Sequence, residues 1–130
     1  MNKNDFIKNE RQTSSFKAAD GAIVYELFNP DNSAIKIMSV ASGFLEAGKK
    51  ARLHRHEESD EIYYVLSGQG QVQLGEKIFD VRPGDAICVP VNMVHGLINT
   101  SQEKPLKVLA VESPAYSDDD IFFLDQESAV

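Results

Sequence analysis

From Ala22 to Val111 the chain is a succession of short apolar runs rich in valine, isoleucine, phenylalanine and tyrosine, each closed by residues that turn a backbone. Asn29-Pro-Asp-Asn-Ser33 reads as a loop, Ser67-Gly-Gln-Gly70 and Leu74-Gly-Glu-Lys77 as tight hairpin connections, and Arg82-Pro-Gly-Asp85 as a turn. Glycine supplies positive φ there, while proline, asparagine and aspartate favour turn geometry. The runs between are strand candidates: Ala22 to Phe28, Ala34 to Leu45, Arg52 to His56, Glu61 to Leu66, Gln71 to Leu74, Lys77 to Val81, Ala86 to Val89, His95 to Asn99 and Leu106 to Val111. No long helical periodicity interrupts them, and strands at this spacing imply an all-β sandwich or barrel. A chain of 130 residues buries a core without staples. The single cysteine, Cys88, excludes an internal disulfide; flanked by Ile87 and Val89, it is expected to be a small buried hydrophobe.

All three histidines fall within two of these runs. In an extended strand His54 and His56, two residues apart, project from one face. The polar stretch from Glu57 to Asp60 then turns the chain, and Glu61 opens the next strand. A turn, a short apolar strand and a proline-marked turn lead from Gly84 to His95. Three imidazoles and one carboxylate suit Fe, Mn, Ni, Cu or Zn, whereas an all-oxygen set would point to Mg or Ca. By the same alternation Arg52 shares the face of the two histidines, and Tyr63 and Val65 share that of Glu61. Arg52 and Tyr63 are therefore candidate substrate contacts in a cavity suited to a small oxygen-rich or anionic ligand, and Tyr63 and Glu61 are candidate proton carriers. The opposite face receives Leu53, Arg55, Ile62 and Tyr64.

Gly48, His54, His56, Glu61 and Gly68 resemble the first signature motif of the cupin superfamily, G-x5-H-x-H-x3-4-E-x6-G. Gly84, Pro90, His95 and Asn99 are similar to the second, G-x5-P-x-G-x2-H-x3-N, with Asn92 where the pattern has glycine. Asparagine tolerates the left-handed backbone region better than most residues. The resemblance implies a double-stranded β-helix, or jelly-roll barrel, and one divalent transition metal held by His54, His56, Glu61 and His95. It also implies activities that range over dioxygenases, isomerases, epimerases, lyases, decarboxylases and cyclases, often in homodimers. The tail from Glu112 to Asp120 is similar to that of small bacterial cupins labelled mannose-6-phosphate-isomerase-like. Fe, Ni or Cu at such a site would support oxidative cleavage of an enolate or catechol-like substrate. Mn or Zn would polarise a carbonyl for isomerisation, elimination or decarboxylation.

Aspartate and glutamate outnumber lysine and arginine by 20 to 13, a net charge of −7. A nucleic-acid surface needs clustered cations, so no nucleic-acid partner is expected. No apolar run approaches the length of a membrane span, and the start lacks the hydrophobic centre of a secretion signal. A cytoplasmic location follows as the default. Residues 1–16 read as an arm or an added edge strand, on this chain or on a partner; 17–117 as the barrel; 118–130 as a tail. Ser117 to Leu124 is expected to form a short capped helix with Asp118 to Asp120 solvated at its start. Two function classes compete: a metal-dependent enzyme acting on a small metabolite, either a dioxygenase or an isomerase or lyase, and a non-catalytic module that binds or senses a sugar or carboxylate.

Overall fold

The computed structural model describes residues 1–127, and each of the nine expected strands forms, several with shorter bounds. In chain order the strands are β1 (Ser15–Lys17), β2 (Ile23–Phe28), β3 (Ser39–Leu45), β4 (His54–Arg55), β5 (Asp60–Ser67), β6 (Gly70–Leu74), β7 (Lys77–Val81), β8 (Ala86–Val89), β9 (His95–Asn99), β10 (Leu106–Ser113) and β11 (Phe122–Phe123). They build two antiparallel sheets, one ordered β1-β2-β3-β10-β5-β8 and the other β11-β4-β9-β6-β7. Inward-facing Leu45, Val65, Val72, Val89, Leu106 and Val108 fill the space between the sheets. This is the jelly-roll barrel. Sequence separations between paired strands are large, as in β3 with β10, so residues far apart in the chain meet across the barrel.

Three segments differ from expectation. Residues 34–38 do not extend β3: Ser33 Oγ bonds the Asn29 carbonyl at 2.7 Å and the Ala34 amide bonds the Asp5 carbonyl, so the backbone there is already committed to the loop. The arm at residues 1–16 packs on its own chain. Short 3-10 turns at Lys3–Asp5 and Glu10–Gln12 lead into β1, which pairs with β2. Glu10 holds the Lys107 ammonium at 2.7 Å and accepts from the Ser42 hydroxyl. At the other end, Ser117 caps a 3-10 turn limited to Asp118–Asp120, which gives way to β11 and then to a one-turn helix, α1 (Leu124–Glu127). A continuous helix is overruled because Phe122 and Phe123 pair with Arg55 and His54, which buries the Phe123 ring. Phe122–Phe123 is thus the edge of the second sheet; residues 128–130 lie outside the described residues.

Cys88 is exposed, contrary to expectation. β8 alternates strictly: Ile87 and Val89 face the core, so the residue between them must face out.

Candidate metal centre

His54 on β4 lies in register with His95 on β9, and Glu61 projects inward from β5 across the barrel. His56 follows β4 at the start of the turn to β5. The ligand atoms of these four side chains lie within 4.8 Å of one another, and all four residues are buried. Each imidazole is anchored through Nδ1 to a backbone carbonyl: His54 to Arg52 at 2.8 Å, His56 to Asp120 at 2.7 Å, His95 to Met93 at 2.9 Å. A carbonyl can only accept, so a hydrogen sits on Nδ1 of each ring and Nε2 faces inward. His95 Nε2 lies 3.0 Å from Glu61 Oε1, and His56 Nε2 lies 3.6 Å from the same oxygen. Buried His56 Nε2 has no hydrogen-bond partner among the described residues. An orphaned basic nitrogen beside two further imidazoles and a carboxylate fits a transition-metal ion, by its position and by its donor chemistry.

Burial, aided by the charge of His95, lowers the His54 pKa to about 4 and favours the neutral, ligating form. Burial alone would raise Glu61, but the imidazoles of His56 and His95 and the Glu112 carboxyl outweigh it and hold Glu61 below the usual carboxylate range. Glu112 is the opposite case: burial and the neighbouring Glu61 charge push it up to about 10, so at neutral pH it keeps its proton. Tyr63 is raised well above the usual phenol value, chiefly by burial and then by the charge of Glu61. Tyr63 therefore keeps its proton at neutral pH.

The sequence-derived site residues separate into two groups. His54, His56, Glu61, His95 and Tyr63 come together. Arg52 does not join them: its guanidinium forms a two-nitrogen pair with Asp125, at 3.0 and 2.8 Å, and stacks 3.7 Å above the Phe123 ring. β4 begins only at His54, so the strand alternation used to place Arg52 does not reach it.

Two residues were missed. Glu112 reaches the centre because β10 places it opposite Glu61 in register. Asp120 accepts the backbone amides of Glu57, Glu58 and Ser59 through its carboxylate, while its carbonyl holds His56. Neither carries a local signal; only the strand register exposes them. Asn92, in the glycine place of the second motif, has φ 67°, within the left-handed region expected of it.

Residues 44–112 match the family model of the cupin domain, which spans more than half the chain. The chain belongs to the cupin family. An uncharacterized protein of Methanocaldococcus jannaschii is 37% identical over 106 residues, covering 82% of this chain and 84% of that one. Among solved structures, a predicted oxalate decarboxylase from Thermotoga maritima superposes with a TM-score of 0.74 at 23% identity, covering 84% of this chain and 99% of that one. The polyketide cyclase RemF from Streptomyces resistomycificus gives 0.77 at 15% identity, over 91% and 84%. At these identities the structural matches establish the fold.

In this cupin the ligand set forms one wall of a cavity of about 320 Å³ between the sheets. Its lining includes His54, His56, Glu61, Tyr63, Glu112 and Tyr116. The Tyr116 ring stands edge-on 6.4 Å from that of His56, and its hydroxyl donates to Asp118 at 2.9 Å.

Proposed function

We propose that this cupin is a metal-dependent enzyme acting on a small oxygen-rich metabolite, as a dioxygenase or as an isomerase or lyase. The observation that carries the reading is the convergence of four buried donors, one of them the bare Nε2 of His56, on the wall of a closed-in cavity. Enzymes occur among the solved cupins of the same fold, the polyketide cyclase being one. His54, His56, Glu61 and His95 would hold one divalent transition metal, which when bound supplies either dioxygen chemistry or polarisation of a carbonyl. Backbone carbonyls fix the imidazoles, and Glu61 lies 3.0 Å from His95 Nε2 with Glu112 opposite it in register and Tyr63 next on the inward face of its strand. Tyr63 lines the cavity with its proton held, so it serves as a hydrogen-bond donor to substrate; Glu61, held below the usual carboxylate range by its neighbours, would take a proton only after swinging off the metal.

The proposal includes a homodimer and a cytoplasmic setting, the latter consistent with one unpaired cysteine. No described helix is long and apolar enough to cross a membrane.

Elemental analysis of protein purified without added metal should find about one transition-metal ion per chain, and His95→Ala should lose it. Turnover or oxygen consumption with some member of a panel of diketones, catechols and sugars is the expected result. Metal uptake with no turnover, but with a raised melting temperature for one compound, would replace this reading by that of a binding or sensing cupin.

A further inference from the structure

The cavity exists because of small residues in one register row. Across the inner face of the first sheet, Glu26 on β2 stands beside Ala41 on β3, Ala41 beside Ala110 on β10, and Ala110 beside Tyr63 on β5. In the adjoining row Gly43 lies between Val24 and Val108. Large side chains at Ala41, Gly43 and Ala110 would fill the space that is open. The row also gives the cavity two ends. Tyr63 and the ligand set stand at one, and Glu26 at the other, roughly 14 Å away at three strand spacings of ~4.8 Å each.

The polar groups on this wall are acidic. Among the described residues lining the cavity are the carboxyl groups of Asp20, Glu26, Glu61, Glu112 and Asp118 and a single cation, Lys17, exposed on β1. Arg52, the cation expected there, is committed to Asp125. Two carboxyl oxygens inside have no hydrogen-bond partner among the described residues, Glu112 Oε2 and Glu26 Oε1, and Glu112 is only 7% exposed. Burial raises the pKa of Glu26, outweighing a hydrogen bond with Asn29 and the charge of Lys8, which does not line the cavity. A phosphate or carboxylate carried away from the ligand set would lose its water, find no positive partner and face these carboxyl groups. An apolar body would lose nothing by lying over Ala41, Ala110 and Val108.

Relying on the proposed metal centre for one end of the ligand, we infer that the cavity takes a molecule whose only chelating or charged group lies at that end. The rest of it is uncharged and largely apolar. Sugar phosphates, uronates and dicarboxylates are excluded; catechol-like and diketone-like compounds of modest size fit. Glu26 sets the far limit and repels an anionic tail.

The test uses the full chain loaded with Zn(II) and two probes with the same chelating head, 4-methylcatechol and 3,4-dihydroxybenzoate, measured by calorimetry. The uncharged probe should bind more tightly by about tenfold or more. Glu26→Gln should narrow that ratio by improving the carboxylate probe alone. Equal or tighter binding of 3,4-dihydroxybenzoate, or no binding of 4-methylcatechol, overturns the inference. The same pair measured on metal-free chain separates the two proposals. If Zn(II) is not taken up but the uncharged probe is still preferred, the metal centre fails and the charge selection of the cavity stands.

Discussion

Asp120 serves the centre through both its backbone and its side chain. Its carbonyl accepts from His56 Nδ1 and so fixes which nitrogen faces the cavity, while its carboxylate accepts three consecutive amides in the turn that leads from His56 to β5. Buried carboxylate acceptors for backbone amides are among the stronger hydrogen bonds, and their loss leaves the amides of this turn without a partner. Asp120→Ala should lower unfolding free energy by about 2–4 kcal/mol and weaken metal affinity by roughly 10- to 100-fold, the usual effect of removing a group that orients a ligand. Asp120→Asn, which keeps one acceptor oxygen, should lose less of both. Denaturant unfolding and a metal titration read the two effects separately. Unchanged metal affinity in Asp120→Ala would show that the orientation of His56 is set elsewhere.

At the scale of the strand, what could be read in advance follows from period and spacing. His54 and His56, and the inward Glu61, Tyr63 and Val65, obey alternation that needs no tertiary knowledge, and the outward Ile62 and Tyr64 follow from it. Cys88 fails for the same rule applied too weakly: a flanking pair of apolar residues in an alternating strand faces in, so the cysteine between them faces out. Arg52 fails because its strand is two residues long. Glu112, Asp120 and the two-residue β11 depend on pairings between distant segments, which no local window contains. Gly68 shows how a motif residue can serve the fold and not the chemistry. It joins β5 to β6 with φ 90°, and a Cβ there would collide with the Pro105 carbonyl oxygen next to the start of β10. Gly75, at φ 61°, has open space around it. Gly68→Ala should therefore cost about 3 kcal/mol, from backbone strain plus the clash, and Gly75→Ala only about 1–2 kcal/mol from strain. Equal losses by denaturant unfolding would mean that the close approach to Pro105 is relieved by a small shift of the loop.

The whole molecule leaves one sheet face half covered. The arm lies over the β3 side, where Glu10 engages Ser42 and Lys107. On the β5 side Ile62, Tyr64 and Leu66 remain 49%, 44% and 43% exposed, with Val111 and Cys88 in register beside Ile62. Contiguous apolar surface on a strand pair that ends at the β8 edge is the kind of patch that proteins cover by association. A second copy of the chain is the occupant proposed for it, because a two-fold arrangement lays the same apolar strip against itself and needs no complementary charge. A stable pairing would bury roughly 1,200–2,000 Å² in total. Sedimentation velocity at micromolar concentration should then show a dimer, and the double substitution Ile62→Lys with Leu66→Lys should yield a monomer that retains metal. Cys88 offers an internal check, since its thiol lies on the same face: its reaction with a maleimide should slow as the parent protein is concentrated and should not slow in the double variant. A monomeric parent, or a thiol whose rate ignores concentration, would place any subunit contact on another face.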